Sequence, residues 1–203
     1  MGMKKARNKK RIREARPTDM ADIMKVMEAA KGIMRQSGNM HQWGEGYPSE
    51  SVIFSDMERH GGFVIEDAGR IVGYFAFLPS PEPTYSNIYD GEWLDDTQSY
   101  HVIHRIASYP DAHGIFSSMM DFCFSHDANI RIDTHKDNLI MQHNIEKHGF
   151  TYCGIIYLAN GDERLAYQKL WVKGTVGQGD RLFIGSRGQA LDPPHNCLDQ
   201  CPL

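Results

Sequence analysis

Apolar and polar residues recur along this chain with two different periods, and the switches between them mark its elements. KRIREAR alternates and stops at Pro17, whose missing N–H ends a strand without orphaning a donor. Thr18 or Asp19 then caps a helix in which Met20, Ile23, Met24, Met27 and Met34 recur at helical spacing, a stripe that reads as core packing. A second helix starts at Ser49, carries Val52, Ile53 and Met57 on one side, and stops at Gly61-Gly62. GFVIED and RIVGYFAFL flank the turn residues Asp67, Ala68 and Gly69 and predict a hairpin. Tyr100 to Ser108 alternates and is rich in β-branched residues, so it predicts a strand. From Ile115 the period changes to 3.6, with Ile115, Phe116, Met119, Met120, Cys123 and Phe124 on one face of a helix that ends near Ser125. NIRIDTH is a short strand, and Asp137 or Asn138 caps a helix that closes at Gly149 with Lys147 and His148 in its last turn. FTYCGIIYL and LAYQKLWV are the last two strands. The order β-α-α-β-β-β-α-β-α-β-β predicts a mixed α/β layer fold of seven strands and four helices over residues 11–172. Residues 1–10 form a basic arm, and 173–203, with five Gly, three Pro and no periodic stretch, an extension outside the core.

A length of 203 residues suits one domain, and a hydrophobic fraction of 41% excludes collagen, coiled coil and wholesale disorder. The longest apolar run, Ile71 to Leu78, is too short to cross a membrane. No apolar stretch follows the basic start as a signal peptide requires, and Ala6 breaks the myristoylation pattern. Four cysteines, two of them in apolar segments, fit reduced thiols and a cytoplasmic protein. The net charge of −4 hides an uneven distribution: eight Lys or Arg lie within residues 1–16, and the remainder is acidic. No aromatics interleave with the basic arm for base stacking, so nucleic acid is not the expected partner. Between Arg70 and Arg105 there is no Lys or Arg, while Glu82, Asp90, Glu92, Asp95 and Asp96 lie there. Such a loop is either a solvated acidic surface or a field that gathers a cationic small molecule. Trp43 and Tyr47, in the loop GNMHQWGEGYPS, either fold over the core or wall a ligand pocket.

Several chemistries drop out. His101 and His104 are three apart on a strand, which sends them to opposite faces, so they do not share a metal. The tail residues His195, Cys197 and Cys201 offer at most three soft ligands, and no metal is expected. Walker and G-x-S-x-G patterns are absent, and GTVGQG is not followed by a helix. YPDAHGIF remains: it joins a strand to a helix start, where free N–H groups and the helix dipole suit an anion.

HRIASYPDAHGIFSSMM (104–120) followed by NIRIDTHKDNLIMQHNIEKHGFTYCGIIYL (129–158) resembles the GNAT N-acetyltransferase superfamily, over about residues 11–172. The resemblance implies a central, largely antiparallel mixed sheet and a site for acetyl-CoA as cosubstrate. It implies that the backbone of Ile106, Ala107 and Ser108 holds pantetheine, that His113, Gly114, Ile115, Phe116 and Ser117 wrap the pyrophosphate, and that Asn138 reaches the pantetheine arm. The family's turn has Arg or Gln, then Gly, then Gly or Ala where this chain has His113, Phe116 and Ser118; Gly114 is kept, and Asp111 adds a negative charge. Phe116 thus stands where backbone approaches phosphate, and Ile145 replaces the family's general-acid Tyr.

Acetyl transfer to a primary amine needs a neutral nucleophile, an oxyanion donor and a place for the proton. His104 is the candidate base, on a strand face expected to be shared with Ile106 and Ser108; Glu66 and Asp133 are reserves. Trp43, Tyr47 and the acidic loop suit a small cationic acceptor by aromatic contact and field, and a peptide N-terminus or lysine also fits. The alternative is a non-catalytic acyl-CoA or small-ligand binding domain; a homodimer is compatible with either. Both readings require the strands near 100–108 and 130–133 to diverge.

Overall fold

In the computed structural model, which describes residues 10–171, the alternating stretches are strands and the 3.6-period stretches are helices. The basic arm (bar its last residue), the 173–203 extension and its His195, Cys197 and Cys201 lie outside the described residues. In chain order the elements are β1 (Arg11–Glu14), α1 (Met20–Gln36), α2 (Glu50–Glu58), β2 (Gly62–Asp67), β3 (Arg70–Pro79), β4 (His101–Ser108), α3 (Ile115–His126), β5 (Asn129–Thr134), α4 (Leu139–Lys147), β6 (Thr151–Tyr157) and β7 (Glu163–Leu170). Ser49 caps α2 by accepting the Val52 N–H, and Asn138 caps α4 by accepting the Met141 N–H at 3.0 Å. The β2–β3 hairpin turns on Ala68 and Gly69, both at positive φ, the geometry whose twist matches the flanking strands. Among the described residues no helix is long and apolar enough to cross a membrane.

Among the described residues the strands form one seven-stranded sheet, in the order β1-β2-β3-β4-β5-β7-β6, with β4–β5 its one parallel pair. Inward residues of α3 and α4 pack with Phe75, Phe77, Ile103, Ile130 and Ile132 on one face. On the other face α1 and α2 pack over Val64, Tyr74 and Ala107, so the Met stripe contributes Met20 and Met27 to core packing. The 80–100 segment covers the rest of that face through Tyr85 and Trp93. Arg131, fully buried on β5, stacks between the rings of Trp93 at 3.9 Å and Tyr100 at 3.8 Å and bonds Asp96 at 2.8 Å. Part of the acidic loop is therefore neutralised from beneath. A Cβ at Gly91 would overlap the Cys153 carbonyl, so this loop lies backbone-to-backbone on β6.

At the start of α1 the expected cap behaves differently. Asp19 occupies the cap position without bonding a helix amide; its carboxylate takes the Arg16 N–H at 2.8 Å and two bonds from Arg13, at 2.7 and 3.0 Å. The hydrogen bonds from Arg13 lower the Asp19 pKa, and burial opposes them without cancelling them. The stabilisation is complete above the ordinary carboxylate pKa and is lost as pH falls through the lowered folded-state value. Urea midpoints measured against pH should fall more steeply with acid in the wild type than in Asp19→Asn, which lacks this titration.

Candidate active site

The site begins with one extra residue. Tyr74 pairs with Ala107 and Ala76 with His104, so Phe75 alone opposes both Arg105 and Ile106, a bulge in β4. Arg105 takes φ +54°, a conformation costing a non-glycine residue roughly 1–2 kcal/mol, and its side chain supplies the compensation. Its Nε donates to Asp56 Oδ2 at 2.7 Å, its Nη2 donates to Asp56 Oδ1, and Tyr74 donates its hydroxyl to Asp56 at 2.8 Å. Burial alone would lower the Arg105 guanidinium pKa, but the charge and bonds of Asp56 hold it above its ordinary value. Burial, with the Asp56 charge adding to it, raises the Tyr74 phenol.

A bulged strand bends, and this one leaves its parallel neighbour. β4 pairs with β5 only at His101–Ile130, Val102–Arg131 and Ile103–Ile132; beyond Ile103 the strands diverge. The Tyr109 N–H bonds the Val72 carbonyl at 3.1 Å, so by the alternation of strand amides the backbone groups of Ile106 and Ser108 point away from β3, toward the gap. His104 and Asp133 form the first unpaired rung at the fork of the V.

The bulge also corrects the expected face. His104 does not share a face with Ile106: Ile106 packs with the α3 side of the core, whereas His104 lies on the α1–α2 side beside Tyr85. His101 stacks on Phe77 at 4.4 Å on the opposite face from His104, as their spacing requires. His104 Nε2 lies 3.4 Å from Glu82 Oε2, and Nδ1 lies 3.6 Å from Asp133 Oδ1. Tyr85, buried, donates its hydroxyl to that same Asp133 oxygen at 2.6 Å. Arg164 Nε stands 4.0 Å from the other Asp133 oxygen. Burial would raise the Glu82 pKa, but the His104 bond and charge, with Thr84, bring it below the ordinary value. Burial and the Asp133 charge push the Tyr85 phenol well up. Of the two reserves, Asp133 belongs to this cluster; Glu66 does not, being paired with Arg13 at 2.8 Å at the β1–β2 edge.

Past β4, Gly114 at φ +70° turns the chain into α3. Among the described residues no acceptor meets the amides of Gly114, Ile115, Phe116 or Ser117; the first bonded one is Ser118, to the Gly114 carbonyl at 3.1 Å. Phe116 does not obstruct this turn. Its ring is 9% exposed and packs into the core, 4.8 Å from the His148 ring, so it offers the turn only backbone. His113 and Ser117 are exposed, and Asp111 pairs with Arg70 at 3.4 Å.

Asn138 is 5% exposed, and its Nδ2 donates to Gln42 Oε1 at 2.6 Å while its Oδ1 caps α4. Gln42 also accepts from Asn39 at 3.0 Å, and its carbonyl accepts from Arg164 at 3.2 Å, tying the 37–49 loop to the far arm of the V. The two loop aromatics divide the expected roles. Trp43 packs against the α1–α2 core and borders a hollow of about 410 Å³ with Met34, Met40 and Glu45. Tyr47 is 38% exposed and its hydroxyl accepts from Arg105 at 3.4 Å. Ile145 is fully buried in the core.

The sequence does not mark Tyr85, Arg164 or Gln42 as site residues, and it marks Glu82 only as one charge of the acidic loop. Glu82 lies 22 residues from His104, and Gln42 lies 96 from Asn138. No local pattern couples positions so far apart; the one available signal was a carboxylate in a loop leading directly into the strand that carries the histidine.

No family model matches the chain, and no curated protein matches it. Solved structures do. An acetyltransferase of the GNAT family from Streptococcus agalactiae is 32% identical, with 81% of this chain and 96% of that one covered and a TM-score of 0.74. A GNAT-family acetyltransferase from Listeria monocytogenes is 21% identical, covering 79% and 94%, at 0.60. The ribosomal-protein-S18-alanine N-acetyltransferase of Escherichia coli, 14% identical and covering 85% and 99%, at 0.51, shares the fold.

Proposed function

The chain belongs to the GNAT acetyltransferase family, and on that footing we propose that it moves an acetyl group from acetyl-CoA to a primary amine in a ternary complex. The fork between β4 and β5 carries this reading. The Ile106–Ser108 backbone would receive the pantetheine arm, and the amides of Gly114, Ile115, Phe116 and Ser117 the pyrophosphate, at the positive end of α3. The residues fit: Phe116 is turned inward, and the Asp111 charge is offset by Arg70. Asn138, with both amide atoms engaged, would act on the arm through its carbonyl oxygen or by holding the Gln42 loop in place.

Acetyl-CoA supplies an activated thioester when bound. This chain orients the acceptor and manages its protons. An alkylammonium with a pKa near 10.4 is neutral in only about one molecule per few thousand at pH 7, so a base is needed. His104, at the fork and on the face lined by Tyr47 and the 80–100 loop, is that base, and backbone N–H groups of Ile106 and Ser108 would polarise the acetyl carbonyl. Tyr47 and Glu82 favour a small cationic acceptor, with Trp43 supporting the loop from the core side. The buried free thiols of Cys123 and Cys153 suit the reducing cytoplasm.

Release of free thiol from acetyl-CoA, followed across a panel of primary amines with mass spectrometry of the products, tests the proposal. At least one amine should be acetylated in step with thiol release. The second reading, a non-catalytic acyl-CoA binding domain, is favoured by Ile145, which is buried and has no proton to give. It predicts calorimetric binding of acetyl-CoA and CoA with no turnover on any amine.

A further inference from the structure

His104 is bracketed. Each ring nitrogen faces a different carboxylate, Nδ1 toward Asp133 at 3.6 Å and Nε2 toward Glu82 at 3.4 Å. A neutral imidazole has one N–H to donate and one lone pair, so it satisfies one of these oxygens and presents its lone pair to the other. The imidazolium donates to Glu82 and turns its second N–H toward Asp133, 3.6 Å away. The surroundings are therefore complementary to the ring after it has taken a proton.

The two carboxylates differ in a way that separates their roles. Asp133 is held from several sides: the buried Tyr85 hydroxyl donates to it at 2.6 Å, Arg164 stands 4.0 Å from its other oxygen, and β5 fixes its backbone. Glu82 sits in the loop before β4, bonded by the Thr84 hydroxyl at 3.2 Å, with 18% of its side chain open to solvent. Arg105, the next cation along the same face, is already committed to Asp56. The groups that set the state of His104 are therefore Glu82, Asp133, Tyr85 and Arg164.

We infer that Asp133, held by Tyr85, positions His104 with its proton on Nδ1, and that Glu82 is the outlet through which Nε2 passes the acceptor's proton to solvent. This deepens the acetyltransferase reading and rests on it for the identity of the proton donor. The balance is simple. The acceptor ammonium gives one proton to Nε2; its nitrogen lone pair forms the C–N bond as the C–S bond breaks. The second proton on that nitrogen goes to the departing sulfur, and the first leaves His104 by way of Glu82. An amide, a thiol and one solvent proton result, with no other reactant.

Imidazole nitrogen shifts in the free protein, read by long-range proton–nitrogen NMR over roughly pH 5 to 9, test the positioning without any cosubstrate. Wild type should show His104 with its neutral-form proton on Nδ1. Asp133→Asn should move it to Nε2 or to a mixture, and Tyr85→Phe, which removes one oxygen, should do so in part. With the acceptor found by thiol release, Asp133→Asn should lower kcat about 10- to 100-fold with KM and acetyl-CoA affinity little changed. Glu82→Gln should lower kcat about 10-fold, and Glu82→Asp should restore part of it, as a proton outlet requires. Unchanged nitrogen shifts in both Asp133→Asn and Tyr85→Phe would overturn the inference, as would a pH–rate profile that none of the four substitutions moves. Failure of the acetyltransferase reading would look different: wild type would release no thiol with any amine, while the shifts would still decide how His104 is held.

Discussion

Asp56→Ala is expected to cost about 3–5 kcal/mol of stability and to remove acetyl-CoA binding with it. Asp56 is 3% exposed, and its carboxylate answers two bonds from Arg105 and one from Tyr74. Removing one partner of a buried pair leaves the other as an uncompensated charge, which accounts for the size of the loss. Urea unfolding measures it directly. The effect on binding follows from where Arg105 sits: at the bulge, in a left-handed conformation that its ties to α2 compensate. Freed of those ties, the strand gains by relaxing toward regular pairing, which closes the gap. The double variant Asp56→Ala with Arg105→Gly separates the two contributions. Glycine removes the orphaned charge and accepts positive φ without penalty, so the double variant should be more stable than Asp56→Ala alone. Equal destabilisation in both would mean that the buried pair contributes little and that lost packing dominates.

The bulge also explains what could and could not be read from the residues. The order of elements was legible because each one buries a single face, and burying one face writes a period of 3.6 or 2 into the chain. Ile115, Phe116, Met119, Met120 and Cys123 give α3 in this way. The bulge breaks the period locally, and HRIAS alternates as well as any regular strand does. Nothing in Arg105 itself announces φ +54°; the reason lies in Asp56, 49 residues away. Alternation alone therefore puts His104 on the wrong face, since one inserted residue inverts the side-chain order beyond it. Phe116 misled in the opposite direction. Glycine is needed where a side chain would block a ligand, yet at the second position of α3 the side chain points to the core, and the turn keeps its amides whatever the residue. Asp133 was visible as a carboxylate near a strand end; its distinction from Glu66, which has the same description, arises only when β5 lies beside β4 and Tyr85 folds over both.

His104→Ala should lower kcat by about 10²- to 10⁴-fold, the usual contribution of a placed general base, while leaving acetyl-CoA affinity nearly unchanged. The separation of effects is geometric. The imidazole lies on the α1–α2 face, and the turn into α3 that would hold the phosphates offers its amides beyond the bulge. Truncating the ring removes the proton acceptor without touching the backbone of Ile106–Ser108. The pH dependence of the residual rate is the more discriminating measurement. Without a base, turnover relies on acceptor molecules that are already neutral, and that fraction grows tenfold per pH unit until the amine's own pKa near 10.4 is approached. The variant's rate should therefore climb with unit slope well above neutrality, while the wild-type rate, with a base in the site, should depend less steeply on pH there. At high pH the two should converge toward the difference left by lost orientation. If instead the variant runs parallel to wild type at every pH, the proton is taken elsewhere, and Glu82, the more exposed of the two carboxylates in the cluster, is the group that geometry leaves to take it.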